Sequence, residues 1–93
     1  MKHLNIRVFG KVQGVAYRIT TKLVADQLGV KGFVKNEADR SVYIEAEADD
    51  FEMELFVEFC NKGSDKAEVE RVETSESDVK NYRNFELIKK IPA

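Results

Sequence analysis

Along this chain the spacing of apolar residues switches four times between a period of two and a period near 3.6, and that order limits the fold more than any other feature. From Leu4 to Phe9, the residues Leu4, Ile6 and Val8 alternate with Asn5 and Arg7, the signature of a strand with one buried face. Tyr17, Thr21, Val24, Ala25 and Leu28 then share one helical stripe, and Gly29 stands where a left-handed C-terminal cap belongs. Gly32 to Lys35 and Ser41 to Glu47 are strand-like, with Asn36-Glu37-Ala38-Asp39-Arg40 as the hairpin turn between them. Asp49 and Asp50 offer N-cap oxygens to a second helix whose expected core stripe is Phe51, Leu55 and Phe59. Ala67 to Glu73 reads as a fourth strand whose alternation slips between Val69 and Val72, as at a bulge. Residues 74–81 read as a polar connection, and Phe85 with Leu87 marks a short fifth strand.

Strand, helix, strand, strand, helix, strand is the order of an α+β ferredoxin-like βαββαβ sandwich. Its two helices are expected on one face of an antiparallel sheet, with the polar sides of the strands leaving the other face wet. A chain of 93 residues encloses a single core, so 1–93 is expected to be one domain. The apolar runs are far shorter than a membrane span requires, and Met1-Lys2-His3 leads into no signal-peptide core, so a cytoplasmic protein without membrane attachment is expected. With no long unbroken apolar surface in the sequence, the default is a monomer. Cys60 is the single cysteine and His3 the single histidine, too few soft ligands for a zinc site, and no metal or other cofactor is expected. Nucleophilic chemistry of the Cys-His type would have to use His3, at a terminus expected to fray, so Cys60 is read as a packing residue.

Charge divides the chain. Residues 1–40 hold eight Lys and Arg against three Asp and Glu, whereas residues 41–80 hold four against thirteen. The first half suits a small anion, and the second would repel a nucleic-acid backbone, so no nucleic-acid partner is expected. Within the basic half, Gly10-Lys11-Val12-Gln13-Gly14-Val15-Ala16-Tyr17-Arg18 runs from a strand end through a glycine-containing loop into a helix start. Amides at a helix N-terminus lack intrahelical partners and carry the positive end of the dipole, so they can cradle a phosphate. Gly14 would let backbone approach the ligand closely, and Arg18 would add a planar fork for two phosphate oxygens. The spacing is not that of a Walker loop or a dinucleotide fingerprint. On spacing alone, Gly14 could merely turn the chain, Arg18 could be solvated, and Asn36 could be a turn residue.

The segments Gly10-x-Val12-Gln13-Gly14-Val15-x-Tyr17-Arg18, Ala25-x-x-Leu28-Gly29-x-x-Gly32-Phe33-Val34-x-Asn36 with Asp39, Ala67-x-Val69-x-x-Val72 and Phe85-x-Leu87 together resemble the acylphosphatases. These small enzymes hydrolyse the carboxyl-phosphate bond of acyl phosphates, on a ferredoxin-like sandwich. The resemblance implies that Arg18 binds phosphate, that the backbone amides of Gln13, Gly14, Val15, Ala16 and Tyr17 form its cradle, and that Asn36 orients the attacking water. It also implies a small-molecule acyl phosphate as substrate and a reaction without metal or nucleophilic side chain, in which a phosphate oxygen of the substrate helps deprotonate the water. The alternative is a catalytically weak phosphate- or metabolite-binding module on the same fold. Three turns depart from the family pattern, at Asp39-Arg40, Ala48 and Gly63-Ser64, and Arg40 is expected to be strained if its turn needs positive φ.

Overall fold

A computed structural model of the chain describes residues 1–89; the last four residues of the expected domain lie outside the described residues. The elements follow the expected order: β1 (Lys2–Lys11), α1 (Tyr17–Leu28), β2 (Lys31–Asn36), β3 (Val42–Ala48), α2 (Asp50–Lys62), β4 (Glu68–Ser77) and β5 (Phe85–Ile88). They form one sheet in the order β4-β1-β3-β2-β5. Four strands are antiparallel to their neighbours, and β5 lies parallel to β2, which makes the sheet mixed at that edge. Alternation along β1 sends Ile6 and Val8 into the core, where they meet Tyr17 and Ala25 of α1 and Met53, Phe56 and Cys60 of α2. Phe56 and Phe85 close the core edge to face, with ring centroids 5.9 Å apart.

Both helices end at glycines in the positive-φ region, Gly29 and Gly63, each donating its amide back into the last turn. The start of α2 departs from expectation. Asp49 makes no side-chain cap; its Oδ1 lies 3.3 Å from the terminal ammonium, and the Asp50 carboxylate lies 3.4 Å from Lys2 Nζ. The core stripe of α2 is also corrected: Met53, Phe56 and Cys60 are buried, Phe59 is only partly so, and Phe51 and Leu55 are exposed. The bulge falls where the sequence placed it, with Phe9 opposite Arg71 and Gly10 opposite Val69, so Glu70 is the extra residue. Gly10 does not end β1 as expected; it sits at this bulge, where a Cβ would come within 2.2 Å of the Glu68 carbonyl oxygen. β4 runs on to Ser77, so the polar connection begins at residue 78 and not at 74.

The second face of the sheet is not wholly wet. His3, expected to fray, is buried in β1 opposite Glu47 of β3. Its Nδ1 lies 2.7 Å from Glu47 Oε2 and its Nε2 3.1 Å from Glu45 Oε1. The β4–β5 connection folds over this face: Glu47 accepts the backbone N–H groups of Lys80 and Tyr82, while Glu45 accepts from the Tyr82 and Tyr43 hydroxyls and pairs with Lys80 Nζ.

Arg40 adopts φ 75, the strained left-handed conformation expected of it, but the hairpin is intact: Glu37 donates to the Ser41 carbonyl, and Ser41 N–H donates to the Asp39 carboxylate. A non-glycine residue there costs about 1–2 kcal/mol, partly offset in glycine by its greater unfolded-state freedom. Arg40→Gly is therefore expected to raise stability by about 0.5–1 kcal/mol, read as a higher urea midpoint at unchanged m-value, with turnover unaltered.

Candidate active site

The loop between β1 and α1 changes hand at alternate residues. Gly14 has φ 73 and Ala16 has φ 60 with ψ 22, whereas Val15 between them does not have positive φ. Positive φ at alternating residues is a pattern that suits an anion nest, here at the N-terminus of α1. Among the described residues nothing pairs with the backbone N–H of Gln13, Gly14, Val15 or Ala16. Apart from Gly14 and its two chain neighbours, no atom of the described residues lies within 4 Å of where a Gly14 Cβ would stand, so that side of the loop is open. No acidic residue occupies the first turn of α1 to oppose an anion at its N-terminus.

Two other elements bring side chains to this loop. Arg18, in the first turn of α1, donates through Nη1 to the carbonyl of Ile88 at the end of β5, at 2.6 Å. A neutral carbonyl fixes the guanidinium without cancelling its charge, and among the described residues Arg18 has no carboxylate within salt-bridge distance. Asn36 closes β2, paired with Val42 of β3, so it is a strand residue and not part of the turn. Its Oδ1 is buried and has no hydrogen-bond partner among the described residues. A buried acceptor left unmade costs about 1–3 kcal/mol, so this atom is poised for a donor that binds there. Arg18 and Asn36 line the same pocket of about 180 Å³, together with Val12, Gly14, Ala16 and Ile19. The pocket has no imidazole or carboxylate in its lining. Among the described residues no group of three or more His, Cys, Asp or Glu is arranged to hold a metal ion.

Two fastenings of the loop escape the sequence reading, which gave Gln13 only a backbone role. The Gln13 side chain donates through Nε2 to the carbonyls of Glu37 and Ser41, each at 2.9 Å, tying the loop to the hairpin that carries Asn36. On the other side, the buried Ser64 hydroxyl donates to the Val15 carbonyl at 2.7 Å. A proline there would have no such donor, so the Gly63-Ser64 departure adds a tie to the loop. Tyr17 is buried beneath the loop with its hydroxyl donating to the Cys60 carbonyl, and burial pushes its pKa far up. Burial also pushes the Cys60 thiol up to about 12, which keeps it protonated and leaves it a packing residue.

Gln13→Ala separates the loop from the hairpin at little cost in folding, because the Glu37 and Ser41 carbonyls each keep one backbone donor, from Arg40 and Glu37. Displacement of the cradle relative to Asn36 is expected to lower kcat/KM for an acyl phosphate by about 10- to 100-fold, with a urea midpoint shift equivalent to about 1 kcal/mol. Parallel steady-state kinetics and denaturation check this; an equal loss in both would mean the side chain serves folding alone.

Comparison with known proteins places the whole chain in one family. The family model for acylphosphatase matches residues 4–87. The chain is 41% identical over 88 residues to an acylphosphatase of Ligilactobacillus salivarius, spanning 94% of this chain and 98% of that protein. It is 40% identical over 84 residues to one from Archaeoglobus fulgidus, spanning 90% and 94%. The fold superposes on the crystal structure of acylphosphatase from Bacillus subtilis with a TM-score of 0.92 at 32% identity, covering 95% of this chain and 99% of that one.

Proposed function

Given that this chain belongs to the acylphosphatase family, we propose that Arg18, Asn36 and the backbone amides of Gln13, Gly14, Val15, Ala16 and Tyr17 carry its hydrolysis of the carboxyl-phosphate bond of acyl phosphates. The observation that carries the assignment is the meeting of an uncancelled guanidinium and an unpartnered buried carbonyl oxygen, those of Arg18 and Asn36, in one pocket at the N-terminus of α1. The phosphoryl group sits in the amide nest with two oxygens on the Arg18 fork. Asn36 Oδ1 accepts a hydrogen from water and aims its lone pair at phosphorus.

As the water oxygen bonds to phosphorus, the bond from phosphorus to the acyl oxygen breaks and the carboxylate leaves with its electron pair. A carboxylate is a weak base, with an acid pKa of about 4, so it departs without a general acid. The water proton passes to a non-bridging phosphoryl oxygen, in keeping with a pocket that lacks imidazole and carboxylate. Positioning and charge stabilisation do the rest, and no metal or other cofactor enters the reaction.

The chain acts as one domain and as a monomer. The outer strand β4 carries Glu68, Glu70, Glu73 and Glu76, which discourage edge-to-edge pairing. Among the described residues no helix is long and apolar enough to cross a membrane. We place the protein in the cytoplasm, acting on a small acyl phosphate and not on nucleic acid. Release of benzoate from benzoyl phosphate in the presence of a chelator tests the assignment as an enzyme. Steady turnover is the expected result; a folded protein that binds phosphate without turnover would make it a binding module.

A further inference from the structure

Arg18 leans on the Ile88 carbonyl of β5, so whatever holds β5 against α1 also sets where the guanidinium stands. β5 is four residues long and lies at the edge of the sheet, with β2 as its neighbouring strand among the described residues. Lys22 fastens the same two elements. Its Nζ donates to the carbonyl of Phe85, the first residue of β5, at 2.9 Å. Lys22 stands one turn along α1 from Arg18, so the two cations share a helix face. The earlier of them on α1 meets the later carbonyl of β5, and together they bridge helix and strand at both ends of the strand.

We propose that Lys22 is a positioning residue for the reaction, holding β5 at the distance from α1 at which the Ile88 carbonyl aims the Arg18 guanidinium at the phosphoryl group. This rests on Arg18 binding that group, as argued above. Lys22 also pairs with Asp26 Oδ2 at 3.0 Å, but that is an i,i+4 contact within the helix, with side chains 41% and 51% exposed. Such a pair contributes little to stability. The bond to Phe85 is part-buried and spans 63 residues of sequence. Without it, Phe85 stays in the core and β5 stays paired with β2, so the strand remains in the sheet. What relaxes is its spacing from α1, and Arg18 with it. Misplacement of a binding group by about 1 Å can cost up to about 10²-fold in rate, and a strand still held by β2 relaxes less, so about tenfold is expected.

The test is a double-mutant cycle on kcat/KM for benzoyl phosphate, run in about 0.5 M salt so that the long-range attraction of Lys22 for an anionic substrate is screened. Alanine suits the helix and the site is half-exposed, so Lys22→Ala folds, with the urea midpoint as the check. Lys22→Ala is expected to lower kcat/KM about tenfold and to move the Arg18 Nε resonance in the absence of ligand. Lys22→Arg keeps a donor and is expected to recover to within about twofold, and Asp26→Ala, which breaks only the helical pair, to stay within about twofold of native. In an Arg18→Ala background, Lys22→Ala is expected to cost nothing further. An unchanged rate in Lys22→Ala, a loss reproduced by Asp26→Ala or not recovered by Lys22→Arg, or an equal loss with and without Arg18 would overturn the role of Lys22 and leave the catalytic assignment standing. Turnover that survives Arg18→Ala would instead remove the catalytic assignment and the role of Lys22 together.

Discussion

Arg18→Ala is expected to lower kcat/KM for benzoyl phosphate by about 10³-fold and to weaken inhibition by inorganic phosphate by at least about tenfold. In the proposed site the guanidinium touches the phosphoryl group in both ground and transition states, so its loss should be felt in binding and in turnover. Asn36→Ala is expected to behave differently. In the proposed role its carbonyl oxygen holds the water and not the phosphate, so kcat should fall about 10²- to 10³-fold while the inhibition constant for phosphate moves by less than about threefold. Steady-state kinetics with phosphate as competitive inhibitor separates the two. Equal losses of phosphate affinity in both variants would mean that Asn36 contacts the phosphoryl group and that the water is held elsewhere.

The second large effect lies on the opposite face of the sheet. Glu47, buried together with His3, accepts from His3 and from the part-buried backbone N–H groups of Lys80 and Tyr82. Removing a carboxylate that satisfies buried and part-buried donors is expected to cost about 3 kcal/mol in Glu47→Ala, read as a lower urea midpoint. The same groups govern the acid limb of stability. Burial alone would raise the pKa values of Glu45 and Glu47. Hydrogen bonds outweigh it, from the Tyr82 and Tyr43 hydroxyls and Lys80 to Glu45, and from His3 and the two backbone amides to Glu47, so both carboxyls fall below the ordinary glutamate value. Their stabilisation is therefore fully present above the unfolded value of about 4.3 and is lost as pH falls through the lower folded values. Stability measured from pH 6 down to about pH 2 should hold to near pH 4 and then drop, and Glu47→Ala should flatten that drop. An acid limb of the same steepness in the variant would assign it to other carboxylates.

What was legible in the sequence was set by local periodicity and by one loop. β1, α1 and the bulge at Val69 to Val72 were readable because each has one apolar face and one polar face. α2 was not, because apolar residues surround it. Met53, Phe56 and Cys60 fall within an arc of about 60°, and Phe51 lies about 140° from Phe56, so choosing the Phe51-Leu55-Phe59 series rotated the helix off its core. His3 was misjudged from its nearness to the terminus, although alternation does put it on the same face as Asn5 and opposite an acidic strand. Arg18 and Asn36 were found together only through the family pattern; spacing alone left both with ordinary readings. Their supports were beyond reach. The Ile88 carbonyl that holds Arg18 is backbone with no side-chain signature, and Gln13 and Ser64 act across 24 to 49 residues of sequence.

The central claim is that backbone amides at the start of α1, with Arg18, hold the phosphoryl group. Titration of inorganic phosphate into isotopically labelled protein, followed by amide and guanidinium resonances, tests it most directly. The expected result is that Gly14, Val15, Ala16, Tyr17 and the Arg18 side chain shift together with a single Kd, and that the loop amides of Arg18→Ala need at least about tenfold more phosphate for the same shift. Shifts confined to residues outside the loop, or an unmoved loop in a protein that still hydrolyses acyl phosphates, would contradict the account.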